Sequence, residues 1–189
     1  NKFGVPLSLF QIKKKHEFGV FEIGMDKHGE IESLTKLVRP NVAVITNISH
    51  AHIKNFKNIN DIAKAKSEII DHIKEEGIIV LNKDDKFYNY FANKAKKRNI
   101  KIITYSKNKK SDIQLYKIKY KIKFSKIYVI INKHIHFFQI KNNLVPYIEN
   151  ILGVISILSI YFNIEKISKK IFYKFQIPPG RGKISKIKL

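Results

Sequence analysis

The sequence predicts an α/β fold, a doubly wound and mostly parallel sheet carrying a small antiparallel meander. Two observations predict it. Short, continuously apolar segments that end in polar residues alternate with helical patterns through the first two thirds of the chain, and from Asp112 the pattern changes to alternation. Continuous Val/Ile runs mark strands covered on both faces, whereas alternation marks strands with one wet face.

The first apolar segments are Phe18 to Gly24, Val42 to Ser49 and Gly77 to Asp85, with Lys101 to Ser106 as a fourth strand. Helical patterns at Ile31 to Leu37, Ile59 to Ile73 and Phe87 to Lys97 supply the crossovers that parallel strands require. "IQLYKIKYKIKF", "KIYVIIN" and "HIHFFQI" then read as three antiparallel strands between Asp112 and Ile140. Two helices are expected after them, Pro146 to Phe162 and Glu165 to Phe175. "IPPGRGK" stops the second and reads as a hinge, which divides the chain into a main domain over 1–177 and a short stretch over 178–189 that opens another. The opening "NKFGVPLSLF" reads as a loop followed by a helix whose preceding strand is absent.

The longest apolar run, "NILGVISILSIYF", is shorter than a membrane span and reads as a buried helix. No signal-peptide pattern opens the chain and there is no cysteine, so a cytoplasmic protein without disulfides is expected. The formal charge of +22 raises the possibility of nucleic-acid binding. Only three of the 37 basic residues are arginine, however, the residue that reads phosphates and base edges in bidentate fashion. The charge is therefore read as general lysine enrichment, with no nucleic-acid partner expected.

The helix expected near Ile59 holds an anomaly. With Asn58 or Asn60 as its cap, Ile59, Ile62, Ala63, Ile69, Ile70 and Ile73 form one stripe, and Lys66 projects at its centre. Lys64 and Glu68 fall on the opposite face, which is expected to be wet. Burying an ammonium without a partner costs several kcal/mol, so Lys66 must snorkel, pair with an anion, lose its proton or be chemically modified.

Ligands of open parallel sheets bind at the carboxyl ends of the strands. The polar groups there are Glu22, Thr46 with Asn47, and Asn82 with Asp84 and Asp85. Glu22, directly after an apolar pair, is either paired, on a cation or capping a helix, while "DD" at a helix start reads first as an N-cap. His50 and His52 follow the second strand with a metal-compatible spacing that is weak by itself, and His134 and His136 read as exposed strand residues.

The string "EIGMDKHGEIESLTKLVRPNVAVITNISHAHIKNFKNINDIAKAKSEI", followed by "GIIVLNKDD", resembles the central ATPase domain of the Mur ligases, which has a P-loop NTPase-like fold. "GEI..L", "TNI..AH...F" and the opening "NKFGVPLSL" are most similar to the family's D-alanyl-D-alanine-adding branch. The resemblance implies an ATP-dependent, ADP-forming amide ligase of peptidoglycan synthesis. Its substrates would be UDP-N-acetylmuramoyl-tripeptide and D-alanyl-D-alanine, joined through an acyl phosphate, and it would be monomeric with no membrane insertion.

Residue by residue, the resemblance implies magnesium on Glu22 and His52, a carbamylated Lys66, and ATP contacts from Asn150 and Arg181. Asn1 and Asn47 would be neighbours of the active site, and His50 a bystander. The family's GxxGKT/S phosphate loop does not occur in the sequence and would precede Asn1, and "PY" at Pro146 and Tyr147 stands where "HN" is common. The stretch alone is therefore expected to be inactive. The alternatives are another Mur ligase, a folylpolyglutamate synthetase, or a basic nucleic-acid-binding α/β module.

Overall fold

The computed structural model describes residues 3–49 and 55–177, and the chain divides into two compact units, Asn1–Tyr105 and Ser106–Leu189. Asn1, His50, His52, Arg181 and the hinge from 178 onward lie outside the described residues.

The first unit opens with α1 (Gly4–Phe10), which lies against α2 (Glu30–Val38). It then runs through β1 (Val42–Ile45), α3 (Ile59–Ser67), a 3-10 turn (Glu68–His72), β2 (Ile78–Asn82), α4 (Tyr88–Lys97) and β3 (Lys101–Ser106). The three strands are parallel, with Val42 opposite Ile78 and Ile78 opposite Lys101. Each is joined to the next through a helix, the crossover that parallel pairing demands. Ala43 and Ile45 of β1 and Ile79 and Leu81 of β2 share a buried cluster with Ala63, Ile70, Phe91 and Ala95. Each large aliphatic side chain sealed there contributes about 1.5–3 kcal/mol. Gly77 sets the entry to β2, because a Cβ at that position would lie 2.8 Å from the Lys74 carbonyl oxygen and 3.0 Å from that of Asn41.

α3 begins where the sequence places it. The Asn58 side chain accepts from the Asp61 amide at 3.1 Å, and Ile62, Ala63, Ile70 and Ile73 are buried. The α-helix narrows to 3-10 geometry after Ser67, so the expected single helix to Ile73 is two segments.

The expected strand over Phe18 to Gly24 is not formed: these residues have no regular secondary structure, and Val20 is 95% exposed. A strand of this composition needs cover on both faces, and Val20 is left almost wholly in water.

The second unit is the antiparallel meander with its helix. β4 (Ile113–Tyr120), β5 (Ser125–Ile131) and β6 (His134–Ile140) pair in sequence, with a bulge between Leu115 and Lys117. On β5 the alternation is strict, Ser125, Ile127, Val129 and Ile131 being buried. A 3-10 turn (Asn142–Tyr147) leads into α5 (Ile148–Tyr161), which lies against β4 and buries Ile148, Ile151, Leu152 and Ile155. The helical stretch 142–161 is long and apolar enough, by length and composition alone, to cross a membrane; the burial of one side of α5 fits a core helix.

The expected helix over Glu165 to Phe175 is replaced by a short 3-10 turn (Ile164–Lys166) and further turns. Asn163 caps only that turn, and Ile167 is already extended. The chain then runs beside β6, where the Gln139 amide donates to the Lys169 carbonyl at 2.7 Å and Phe172 packs edge-on against Phe138. Tertiary pairing has overridden the helical spacing.

Candidate active site

The backbone just beyond β1 is held by three side chains from three different elements. The Tyr105 hydroxyl of β3 donates to the Thr46 carbonyl at 3.1 Å, Lys66 Nζ of α3 donates to the Asn47 carbonyl at 2.8 Å, and the Ile48 amide donates to Asp85 Oδ2 at 2.8 Å. Asp85 follows β2, and its other oxygen accepts from the Phe87 amide at 2.8 Å. The carboxyl ends of two adjacent parallel strands are thus tied to each other and to Lys66. This is where open α/β sheets bind their ligands.

Lys66 is half-buried in the stripe that its sequence position predicts. Burial pushes its ammonium below the ordinary lysine value of 10.5, and the negative charge of Asp85 only partly offsets this. The Lys66 head group is thus directed at strand-end polar groups, with its pKa lowered by burial.

The bond from Ile48 to Asp85 is the part of the site that sequence reasoning missed. Asp85 reads first as a helix N-cap, and its Oδ1 does accept from the Phe87 amide at the start of α4, while its Oδ2 bridges the two strand ends. The signal was available in part, since a second acidic residue directly after a buried strand need not serve the helix alone. Asp84 donates its amide to Asn82 Oδ1 at 3.0 Å, which tightens the same turn.

Glu22 lies on an exposed irregular segment rather than at a strand end. Asn150 is exposed in the first turn of α5, in the second unit. His134 is exposed as expected, whereas His136 is partly buried, and burial, Lys169 and His134 together lower its pKa. Among the described residues no group of three or more His, Asp, Glu or Cys side chains is gathered as a metal site. The carboxylates of Glu22 and Asp85 and the carbonyl of Asn47 are nonetheless hard oxygen donors, the type that magnesium selects.

The far side of α3 is fastened to α2 by a second set of contacts. Glu68 is not on a wet face: its carboxylate accepts from the Gly29 amide at 2.9 and 3.1 Å and from the Glu32 amide at 3.1 Å, at the N-terminus of α2. Gly29 takes a positive φ of 81° there, a conformation that glycine adopts without cost. An anion at a helix N-terminus satisfies orphan amides and complements the dipole. Glu68→Ala is expected to cost about 1–3 kcal/mol, read as a shift in urea midpoint, because it strands these amides.

His28 stands between Glu68, with Nδ1 3.5 Å from Oε1, and Asp61, with Nε2 2.9 Å from Oδ1. Burial alone would raise the Asp61 carboxyl, but the Lys57 amide and His28 hold it below its usual 3.8. A carboxylate with a depressed folded-state pKa contributes stability above its unfolded value and loses it as pH falls through the folded one. Asp61→Asn should therefore lower the urea midpoint at neutral pH, and the gap to wild type should narrow as pH falls through the folded-state value below 3.8.

A family model described as the Mur ligase middle domain matches residues 1–158. The chain belongs to the Mur ligases. Over 193 aligned residues this Mur ligase chain is 32% identical to the UDP-N-acetylmuramoyl-tripeptide-D-alanyl-D-alanine ligase of Rickettsia prowazekii, covering 99% of the chain and 42% of that protein. A crystal structure of MurF from Acinetobacter baumannii superposes with a TM-score of 0.84 at 26% identity, over 96% of this chain and 39% of that one. MurF from Thermotoga maritima, solved in complex with ADP, shares the fold at a TM-score of 0.79 and 22% identity, over 95% of this chain and 40% of that one. The Mur ligase chain thus spans at most about two fifths of the length of these relatives.

Proposed function

We propose that the full-length protein is the ATP-dependent ligase that joins D-alanyl-D-alanine to UDP-N-acetylmuramoyl-tripeptide in peptidoglycan synthesis, working in the cytoplasm as a monomer. The observation that carries the reading is the placement of Lys66, a partly desolvated amine on the carboxyl ends of parallel strands. The names of the relatives favour the D-alanyl-D-alanine-adding activity.

Lys66 serves as a carbamate. Its neutral amine adds to carbon dioxide, the new N–C bond forms at Nζ, and a proton leaves; a lowered pKa increases the share of that neutral amine. The carbamate nitrogen retains one N–H, enough to keep the bond to the Asn47 carbonyl. Its oxygens then place an anion in the field of Asp85. A bound cation would offset the repulsion between these two anions.

Glu22 and His52 are the residues proposed to hold magnesium, which when bound neutralises crowded phosphate oxygens. Asn150 and Arg181 are assigned to ATP, and Asn1 and Asn47 to the rim of the site. The tripeptide carboxylate takes the terminal phosphoryl group of ATP to form an acyl phosphate. The dipeptide amine attacks its carbonyl, phosphate leaves, and an amide remains. The rigid strand ends supply positioning, which is the larger part of catalysis in phosphoryl transfer.

Phosphate release by the full-length protein tests the reading. Release should require ATP, UDP-N-acetylmuramoyl-tripeptide and D-alanyl-D-alanine together. Release that continues unchanged when the dipeptide is left out, or when the tripeptide is replaced by a folate, would remove the assignment.

A further inference from the structure

Between Asp112 and Glu149 the sequence contains no acidic residue and seven lysines, Lys117, Lys119, Lys121, Lys123, Lys126, Lys133 and Lys141. Five of the seven belong to the β4–β5 hairpin or its tip. The tip presents Ile122, which is 99% exposed, between Lys121 and Lys123, with Tyr120 66% exposed beside it. An aliphatic side chain almost wholly in water thus stands between two lysines on a strongly basic hairpin.

The tip is held in shape. The Lys121 amide donates to the Phe124 carbonyl at 2.9 Å, and Asn142 Nδ2 donates to the carbonyls of Lys121 and Ile122 at 2.9 and 3.1 Å. Asn142 is itself fixed by the buried Ser125 hydroxyl, which donates to its Oδ1 at 2.7 Å. These bonds display Ile122 outward, at a site where a polar residue would satisfy the same backbone.

We propose that this hairpin tip docks on an anionic lipid bilayer, with Ile122 and Tyr120 entering the headgroup boundary and the surrounding lysines facing the lipid phosphates. The protein lies on the surface and does not span it. Apolar burial and attraction between lysines and anionic lipid are the two contributions that interfacial binding requires, and tyrosine is suited to a half-wet position.

Charge complementarity selects an anionic partner, and two details select lipid. Two of the rings a nucleic acid would stack on are already covered: Lys117 and Lys119 lie over Tyr128 at 5.2 and 5.7 Å, and Lys126 and Lys169 over Phe137 at 5.1 and 5.9 Å. An isolated exposed isoleucine gains from acyl chains what it cannot gain from phosphates and sugars. A second copy of the chain is disfavoured by the net charge of +22.

Co-sedimentation of the full-length protein with vesicles tests the proposal. Vesicles of equal parts phosphatidylglycerol and phosphatidylcholine should bind it at about 0.1 M salt and release it as salt rises, while pure phosphatidylcholine should not bind it. Each lysine near an anionic surface contributes about fivefold, so K121E/K123E should weaken binding at least about twentyfold. I122S, which leaves the charge unchanged, should weaken it about tenfold. K96E/K97E, the same charge change on exposed α4 lysines of the first unit, should have a much smaller effect.

Failure to bind the anionic vesicles would overturn the proposal, as would equal sensitivity to K96E/K97E or indifference to I122S. So would single-stranded oligonucleotide binding that depends on Lys121 and Lys123 and displaces the vesicles. Ligase activity of K121E/K123E should equal that of wild type, so the outcome is independent of the assignment of Lys66.

Discussion

Lys66→Ala is expected to lower kcat/KM of the full-length ligase by about a hundredfold to a thousandfold, the range seen when one charged or hydrogen-bonding group is removed from a preorganised site. Stability should change by no more than about 1 kcal/mol, because the lost bond to Asn47 is offset by removal of a partly desolvated ammonium. The split between activity and stability separates a catalytic lysine from a packing one.

The pH dependence has a definite sign. Lys66 has a depressed folded-state pKa, so its cation is the disfavoured form in the folded chain, and the destabilisation is relieved as pH rises through that value toward 10.5. Wild-type activity should rise with added bicarbonate, with the response growing as pH rises and more of the amine is neutral. Lys66→Ala should show no bicarbonate response. Equal activity and equal bicarbonate dependence in the two proteins would contradict the carbamate.

Ile70→Ala is expected to give the largest loss of stability among single changes near the site, about 2–5 kcal/mol by urea denaturation. Ile70 is fully buried among Ile45, Ile79 and Leu81, and its carbonyl accepts a hydrogen bond from Arg98. The cavity would open behind the 3-10 turn that continues α3 and carries Glu68, and would loosen the fastening of that turn to α2. Lys64→Ala, on the exposed face of the same helix, should stay within about 0.5 kcal/mol of wild type. A loss below about 1 kcal/mol for Ile70→Ala would mean that the cluster behind Lys66 is not sealed.

What could be read in the sequence was local. The cap at Asn58, the stripe of α3 and the anomaly of Lys66 follow from 3.6-residue spacing, and β1, β2 and β3 follow from short apolar runs between helical patterns. What could not be read depends on chain brought from elsewhere. Asp85 acquires its role because β1 and β2 pair in register and carry the Ile48 amide to it, 37 positions away in sequence. Glu68 belongs on a wet face by spacing alone and is occupied because the N-terminus of α2 arrives above it.

The two misplaced elements have the same origin. Phe18 to Gly24 has strand composition, but composition cannot supply the neighbouring chain that a two-faced strand requires. Glu165 to Phe175 has helical spacing, yet pairing beside β6 and the insertion of Phe172 against Phe138 decide its course. The family resemblance, carried by "EIGMDKHGEI" and "TNISHAH", reached further than periodicity because it encodes long-range neighbours.

The central claim is that the Lys66 amine, held at the carboxyl end of β1, carries a carbamate. Carbon-13 NMR of the full-length protein equilibrated with labelled bicarbonate tests it most directly. A carbamate resonance that is present in wild type, strengthens with pH and is absent from Lys66→Ala is the predicted result. A wild-type spectrum without that resonance under conditions where the enzyme turns over, or a resonance that persists in Lys66→Ala, would contradict the account.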